Sequence, residues 1–171
     1  LESGFPQPEL QRVGERFLRI RALRDVSWIV KAAGRDSPRF GEIAVSEGDA
    51  IPDGIDEFWH RVGAGYALAT IRDECYLAWR YCQHPDVRYT VFEARSAGDL
   101  RGVAIVRDGG PDPRLLTLME WMTAPGDLEA EHALLARLTD AARARGLAYL
   151  GIWIPLAFPL ARHLQERHGF F

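Results

Sequence analysis

Apolar and polar positions follow clear periods over the second half of the chain and looser ones over the first. Residues 89–94 and 100–107 alternate in the manner of strands, and Ser96-Ala97-Gly98-Asp99 between them has the composition of a hairpin turn. Residues 115–122 predict a third strand, reached through Gly109-Gly110-Pro111-Asp112-Pro113. Residues 127–145 then switch to a helical period. Leu128, Leu134, Leu135, Leu138, Ala141 and Ala142 mark one face, and Gly146 ends the helix. Residues 149–154 form a nearly continuous apolar run, as expected of a strand covered on both sides. A last helix is predicted over 158–167.

The first half is less regular. Arg16-Phe17-Leu18-Arg19-Ile20-Arg21-Ala22-Leu23 alternates like a half-buried strand. Residues 34–54 are rich in Gly, Pro, Ser and Asp and read as loop with room for a short strand. A short helix is predicted over 55–62, with Phe58, Trp59 and Val62 on one face. Thr70 is placed as the N-cap of a helix running to Tyr81, with Asp73 and Glu74 in its first turn. Cys75, Leu77, Ala78, Trp79 and Cys82 supply its apolar content, and Trp79 is expected on the side that meets the sheet.

These elements add up to an α/β (α+β) domain: a mixed central sheet with helices packed on it. Strands 115–122 and 149–154 should be parallel and joined by a right-handed crossover through the long helix. The chain also echoes itself. It opens with Leu1-Glu2-Ser3-Gly4-Phe5 and closes with Glu166-Arg167-His168-Gly169-Phe170-Phe171, each readable as a helix end stopped by Gly-Phe. Residues 1–24 are accordingly read as the tail of a preceding unit or an edge strand, and 25–171 as the domain, incomplete at its C-terminal end. The first residue is Leu rather than Met, so upstream sequence is expected.

With 171 residues, 47% hydrophobic and 26% charged, one ordinary globular core is expected. A net charge of -3 argues against nucleic acid or an anionic membrane as partner. Lys31 is the only lysine, and the remaining cations are Arg. That bias fits either a set of anion sites or simply a GC-rich coding sequence. Two cysteines, Cys75 and Cys82, make no disulfide scaffold, and no apolar run reaches membrane-spanning length. A cytoplasmic location is expected. His60, His84, His132, His163 and His168 show no metal-ligand spacing with Cys or carboxylates, so no metal is expected. No Gly-x-Ser-x-Gly elbow or phosphate-cradling Gly-Lys loop occurs. Trp79 and Arg80, among Tyr76, Tyr81, His84 and Tyr89, offer either core packing or a stacking site for a substrate.

The order of elements over residues 87–171 resembles the GNAT acetyltransferase superfamily. The resemblance rests also on the Leu134-Leu135 pair. It rests further on Ala161-Arg162-His163-Leu164-Gln165-Glu166-Arg167-His168-Gly169-Phe170, which is similar to the family's Ala-x-x-x-Tyr-Glu-Lys-x-Gly-Phe. Upstream, Arg72-Asp73-Glu74-Cys75-Tyr76-Leu77-Ala78-Trp79-Arg80-Tyr81 resembles a segment in the C-terminal halves of tandem bacterial GNAT-like proteins. The resemblance implies acetyl-CoA as cosubstrate and a small-molecule amine as acceptor. It implies Glu120 as general base, and the backbone of Trp121, Met122, Thr123, Ala124 and Gly126 along the cofactor. The family's two phosphate-loop glycines fall on Glu129 and Glu131, and both carboxylates would oppose the pyrophosphate. The family's acid, commonly Tyr, falls on Gln165, and its Asn falls on Phe158. The expected function is therefore the catalytically weakened C-terminal half of a tandem N-acetyltransferase. Its expected partner is an upstream GNAT-like half or a second copy. An active enzyme with an atypical cofactor loop and a non-enzymatic binding module remain as alternatives.

Overall fold

In the computed structural model, residues 8–17, 26–34, 42–65 and 69–171 are described. Helix α1 spans Pro8–Phe17, β1 Ser27–Ala32, β2 Ala44–Gly48 and α2 Ile55–Gly63. A short α-helix, α3, covers Glu74–Leu77 and continues as a π-helical turn over Ala78–Cys82. Then come β3 Thr90–Ser96, β4 Asp99–Asp108, β5 Leu115–Thr123, α4 Leu128–Ala144, β6 Tyr149–Ile154 and α5 Pro159–His168. The strands form one sheet in the order β1-β6-β5-β4-β3-β2. Only β5 and β6 run parallel. No described helix is long and apolar enough to cross a membrane.

The alternation read in β4 decides the two cores. Ala104 and Val106 face a cluster with Leu134, Leu135, Leu138, Ala161 and Leu164, which is the layer of α4 and α5. Val103 and Ile105 face the opposite cluster with Ile55, Phe58, Val62, Leu77 and Tyr81, the layer of α2 and α3. The hairpin β3–β4 turns at Ala97 and Gly98, both with positive φ (50° and 90°), as the twist of a two-residue hairpin requires.

Three expectations for the first half are corrected. Arg16 and Phe17 close helix α1 rather than open a strand, and 18–23 lie outside the described residues. The strand that covers the free edge of β6 is β1, antiparallel from Ser27↔Ile154 to Ala32↔Tyr149. A domain incomplete at its C-terminal end was expected to leave a sheet edge bare, and the β6 edge is instead paired. Phe171 exchanges two backbone hydrogen bonds with Val30, which places it on the far side of β1 from β6. Asp73, not Thr70, caps α3: its carboxylate accepts from the Tyr76 N–H at 2.8 Å.

Trp79 is also corrected. It is 61% exposed, whereas Leu77 and Tyr81 are buried. Leu77 and Tyr81 lie four apart and share the inward face, so Trp79, two residues from each, falls outward. Cys75 and Cys82 are likewise exposed.

Candidate functional site

The site is built on an irregularity in β5. Its pairing with β4 runs Ile105↔Glu120 and then Val106↔Leu118, so Met119 is an extra residue, a β-bulge. Simple alternation from Leu118 would send Glu120 toward the α4/α5 layer. The bulge reverses this, turning Glu120 into the α2/α3 layer and Trp121 toward α4 and α5. There the Glu120 carboxylate is 8% exposed and doubly held. Oε2 accepts from Arg72 Nε at 2.8 Å and Oε1 from the Tyr81 hydroxyl at 2.9 Å. Burial is the largest influence on Arg72 and opposes its charge, but the hydrogen bond to Glu120, the Glu120 charge and the Tyr76 and Tyr81 phenols together outweigh it and raise its pKa. Burial, then the Glu120 charge, push the Tyr81 phenol well above its usual range, so it stays protonated and donates. Arg72 also lies over the Trp59 ring, 5.5 Å from its centroid, and donates to the Thr70 carbonyl.

Beyond the bulge the sheet divides. β5 pairs with β6 only from Leu115↔Tyr149 to Leu118↔Ile152, whereas its partnership with β4 continues to Thr123. Among the described residues no strand pairs with β5 on its β6 side beyond Leu118, which leaves a cleft between residues 119–123 and the end of β6. Trp121, Met122 and Thr123 lie along this edge, and Ala124 and Gly126 in the turn before α4. Trp121 and Met122 are buried, and the Trp121 Nε1–H is buried without a hydrogen-bond partner among the described residues.

The mouth of the cleft is the N-terminus of α4. Asp127 is its N-cap, accepting from the Ala130 N–H at 3.2 Å. The Glu131 N–H goes to the Asp127 carbonyl and the Leu128 N–H to that of Gly126. Arg101 donates to Asp127 at 2.6 Å. Arg101, Pro125, Gly126, Asp127, Leu128 and Glu129 line a shallow, open depression. Glu129 is exposed beside it.

Glu131 does not face that depression as the sequence suggested. It is 5% exposed and turns toward α5. Its Oε2 meets His163 Nε2 at 2.6 Å and His168 Nε2 at 2.9 Å, and Thr123 Oγ1 lies 3.4 Å from Oε1. Burial works to raise the Glu131 pKa, and the bonds to His168 and His163 outweigh it, so the pKa falls. Spacing along the chain missed this cluster, because one member comes from α4 and two lie five apart on α5. Gln165 is exposed on α5, and Phe158, at its start, is 47% exposed.

Trp79 and Arg80 stand apart from the Glu120 carboxylate, on the outer side of the turn that delivers Tyr81. Trp79 tilts against Tyr76 at 6.1 Å between centroids, and Arg80 lies over the Tyr81 ring at 5.4 Å. Because Trp79 is solvent-exposed, Trp79→Ala should change stability by no more than about 0.5 kcal/mol in chemical denaturation. A larger loss would mean that its ring packs into the core.

No protein-family model matches the chain, and no curated protein matches it. Solved structures do. A functionally unknown conserved protein from Staphylococcus epidermidis ATCC 12228 is similar with a TM-score of 0.57 at 9% identity, over 85% of this chain and 56% of its own. The ribosomal-protein-S18-alanine N-acetyltransferase from Escherichia coli gives 0.55 at 22% identity, over 76% of this chain and 78% of its own. A GCN5-related N-acetyltransferase from Sphaerobacter thermophilus gives 0.53 at 13% identity, over 96% of this chain and 53% of its own. The chain spans little more than half the length of the first and third of these. Its six-stranded mixed sheet, with β5 and β6 parallel and then parted, and its flanking helices are those of the GNAT N-acetyltransferase fold.

Proposed function

We propose that this chain is the C-terminal half of a tandem bacterial GNAT-type N-acyltransferase, and that it no longer handles the acyl donor itself. The observation that carries this reading is the state of the α4 N-terminus. A pyrophosphate there needs free N–H groups and a close approach to the backbone. Here the Leu128, Ala130 and Glu131 N–H groups are committed within the protein, Asp127 sits as the cap, and Glu129 stands beside it. Arg101, the cation lining the same depression, is taken by Asp127. Acetyl-CoA does not fit these residues.

The base position fits no better. The two Glu120 oxygens accept hydrogen bonds from Arg72, just before α3, and Tyr81, in the π-helical turn after it, which makes the carboxylate a structural tie between β5 and the α3 segment. The exposed Gln165 supplies no acid for a departing thiolate. In this reading the chain shapes the site of a small-molecule amine acceptor for an upstream GNAT-like half, or pairs with a second copy. Trp79 and Arg80 are the residues offered to the acceptor. The chain's match to about half of the longer Sphaerobacter thermophilus acetyltransferase supports this division.

One observation favours a second reading, an active acyltransferase using Glu120 as base. The cleft between β5 and β6 is kept, with the Met119 bulge presenting Glu120 near it. The two readings separate in a transfer assay that follows free thiol release from acetyl-CoA with a panel of primary amines. The isolated chain should show no turnover above background. Turnover abolished by Glu120→Gln would establish the second reading. A non-enzymatic binding module would show no turnover in any context, including the full-length protein.

A further inference from the structure

We propose that Glu131, His163 and His168 form a binding site for a single divalent transition-metal ion of the zinc type. This goes beyond the acyltransferase reading and does not depend on it.

Three side chains from two helices converge on one point. His163 Nε2 and His168 Nε2 approach the same oxygen of Glu131, at 2.6 and 2.9 Å, rather than one oxygen each. The other oxygen accepts from Thr123 Oγ1 at 3.4 Å. All three potential ligand atoms lie within 4.8 Å of one another. Glu131 and His168 are buried, while the His163 side chain is 33% exposed and forms the way in.

Two imidazoles and a carboxylate are the donor set that zinc accepts, while Mg²⁺ and Ca²⁺ want oxygen throughout. Zinc–ligand bonds of about 2.0–2.1 Å set tetrahedral ligand atoms roughly 3.3 Å apart. Each imidazole nitrogen needs to draw back from the shared Glu131 oxygen by less than about an ångström to admit the ion. In doing so, two N–H···O hydrogen bonds give way to two metal–nitrogen bonds and one metal–oxygen bond. Each ring then carries its remaining proton on Nδ1, and any proton beyond that leaves to solvent. A water takes the fourth position on the His163 side. The rings are already braced: His132 and His163 each pack edge-on against His168, at 5.1 and 5.2 Å between centroids. The ion would tie α5 to the first turn of α4 at the end of β5.

The test is calorimetric titration of the chelator-treated, tag-free chain with zinc chloride, repeated with cobalt chloride under visible spectroscopy. One ion should bind per chain with a dissociation constant in the micromolar range or below. Cobalt should give the intense visible bands of a tetrahedral site. His163→Ala, at a partly exposed position that should leave the fold intact by circular dichroism, should weaken binding about tenfold or more, the loss that even an outer-shell partner can bring. His84→Ala should leave it unchanged. Absence of saturable one-to-one binding would overturn the proposal and leave the cluster a hydrogen-bonded clamp. So would binding equally tight in His163→Ala.

Discussion

Arg72→Ala should destabilise the protein by about 3 kcal/mol, the lower end of what breaking a buried ion pair costs. The lower end applies because the Arg72 side chain is itself 28% exposed, whereas that of Glu120 is 9% exposed. The loss would come less from the missing attraction than from Glu120, left charged in the α2/α3 layer with only Tyr81 as donor. Adding Glu120→Gln should recover part of the loss, because a neutral amide replaces the stranded charge. The cycle of the two single mutants and the double mutant, followed by chemical denaturation, would therefore show a coupling well above the scatter of independent sites, about 0.3–0.5 kcal/mol. Additive single effects would mean that Arg72 does not compensate Glu120.

Replacing both Glu129 and Glu131 by Gly tests the α4 N-terminus from the opposite direction. On sequence grounds the change restores the two glycines of a phosphate loop and should admit the anion. The structure alters that expectation. Glu131 holds His163 and His168, and bonds to a charged group contribute about 1.5–3 kcal/mol each. Gly within a helix adds roughly 1 kcal/mol. The double variant should lose about 5 kcal/mol or more of stability, most of it through Glu131, with exposed Glu129→Gly alone costing about 1 kcal/mol. It should still fail to bind acetyl-CoA, because Asp127 keeps the cap and Arg101. Restored binding would show that charge and crowding at these two positions were the whole obstacle.

Much of the fold was legible because its signals are local. The hairpin turn, the period of α4, the apolar run of β6 and the left-handed Gly169 after α5 each follow from a few neighbouring residues. The misreadings have one physical origin, contacts between distant segments. Arg16 to Leu23 alternates like a strand, yet the edge of β6 is covered by Ser27–Ala32, whose pairing depends on register with a strand over a hundred residues away. Trp79 read as core because it is large and apolar. The face of a helix is set by its phase, and Leu77 and Tyr81 fix that phase. Glu120 was singled out by the family resemblance from its place on β5, but the bulge at Met119 that aims it leaves no mark in the alternation. Its partners Arg72 and Tyr81 lie some 40 to 50 residues upstream. The Glu131 cluster was hidden for the same reason. The abundance of Arg, readable as anion sites, is in good part internal: Arg72, Arg95, Arg101, Arg114, Arg137 and Arg145 all pair with the protein's own carboxylates.

We propose that this chain keeps the acyltransferase fold without a donor site. Isothermal titration of the purified chain with acetyl-CoA, and separately with free CoA, tests it most directly. No saturable heat is expected at micromolar concentrations of either. Saturable micromolar binding of one molecule per chain would contradict it and restore the active-enzyme reading.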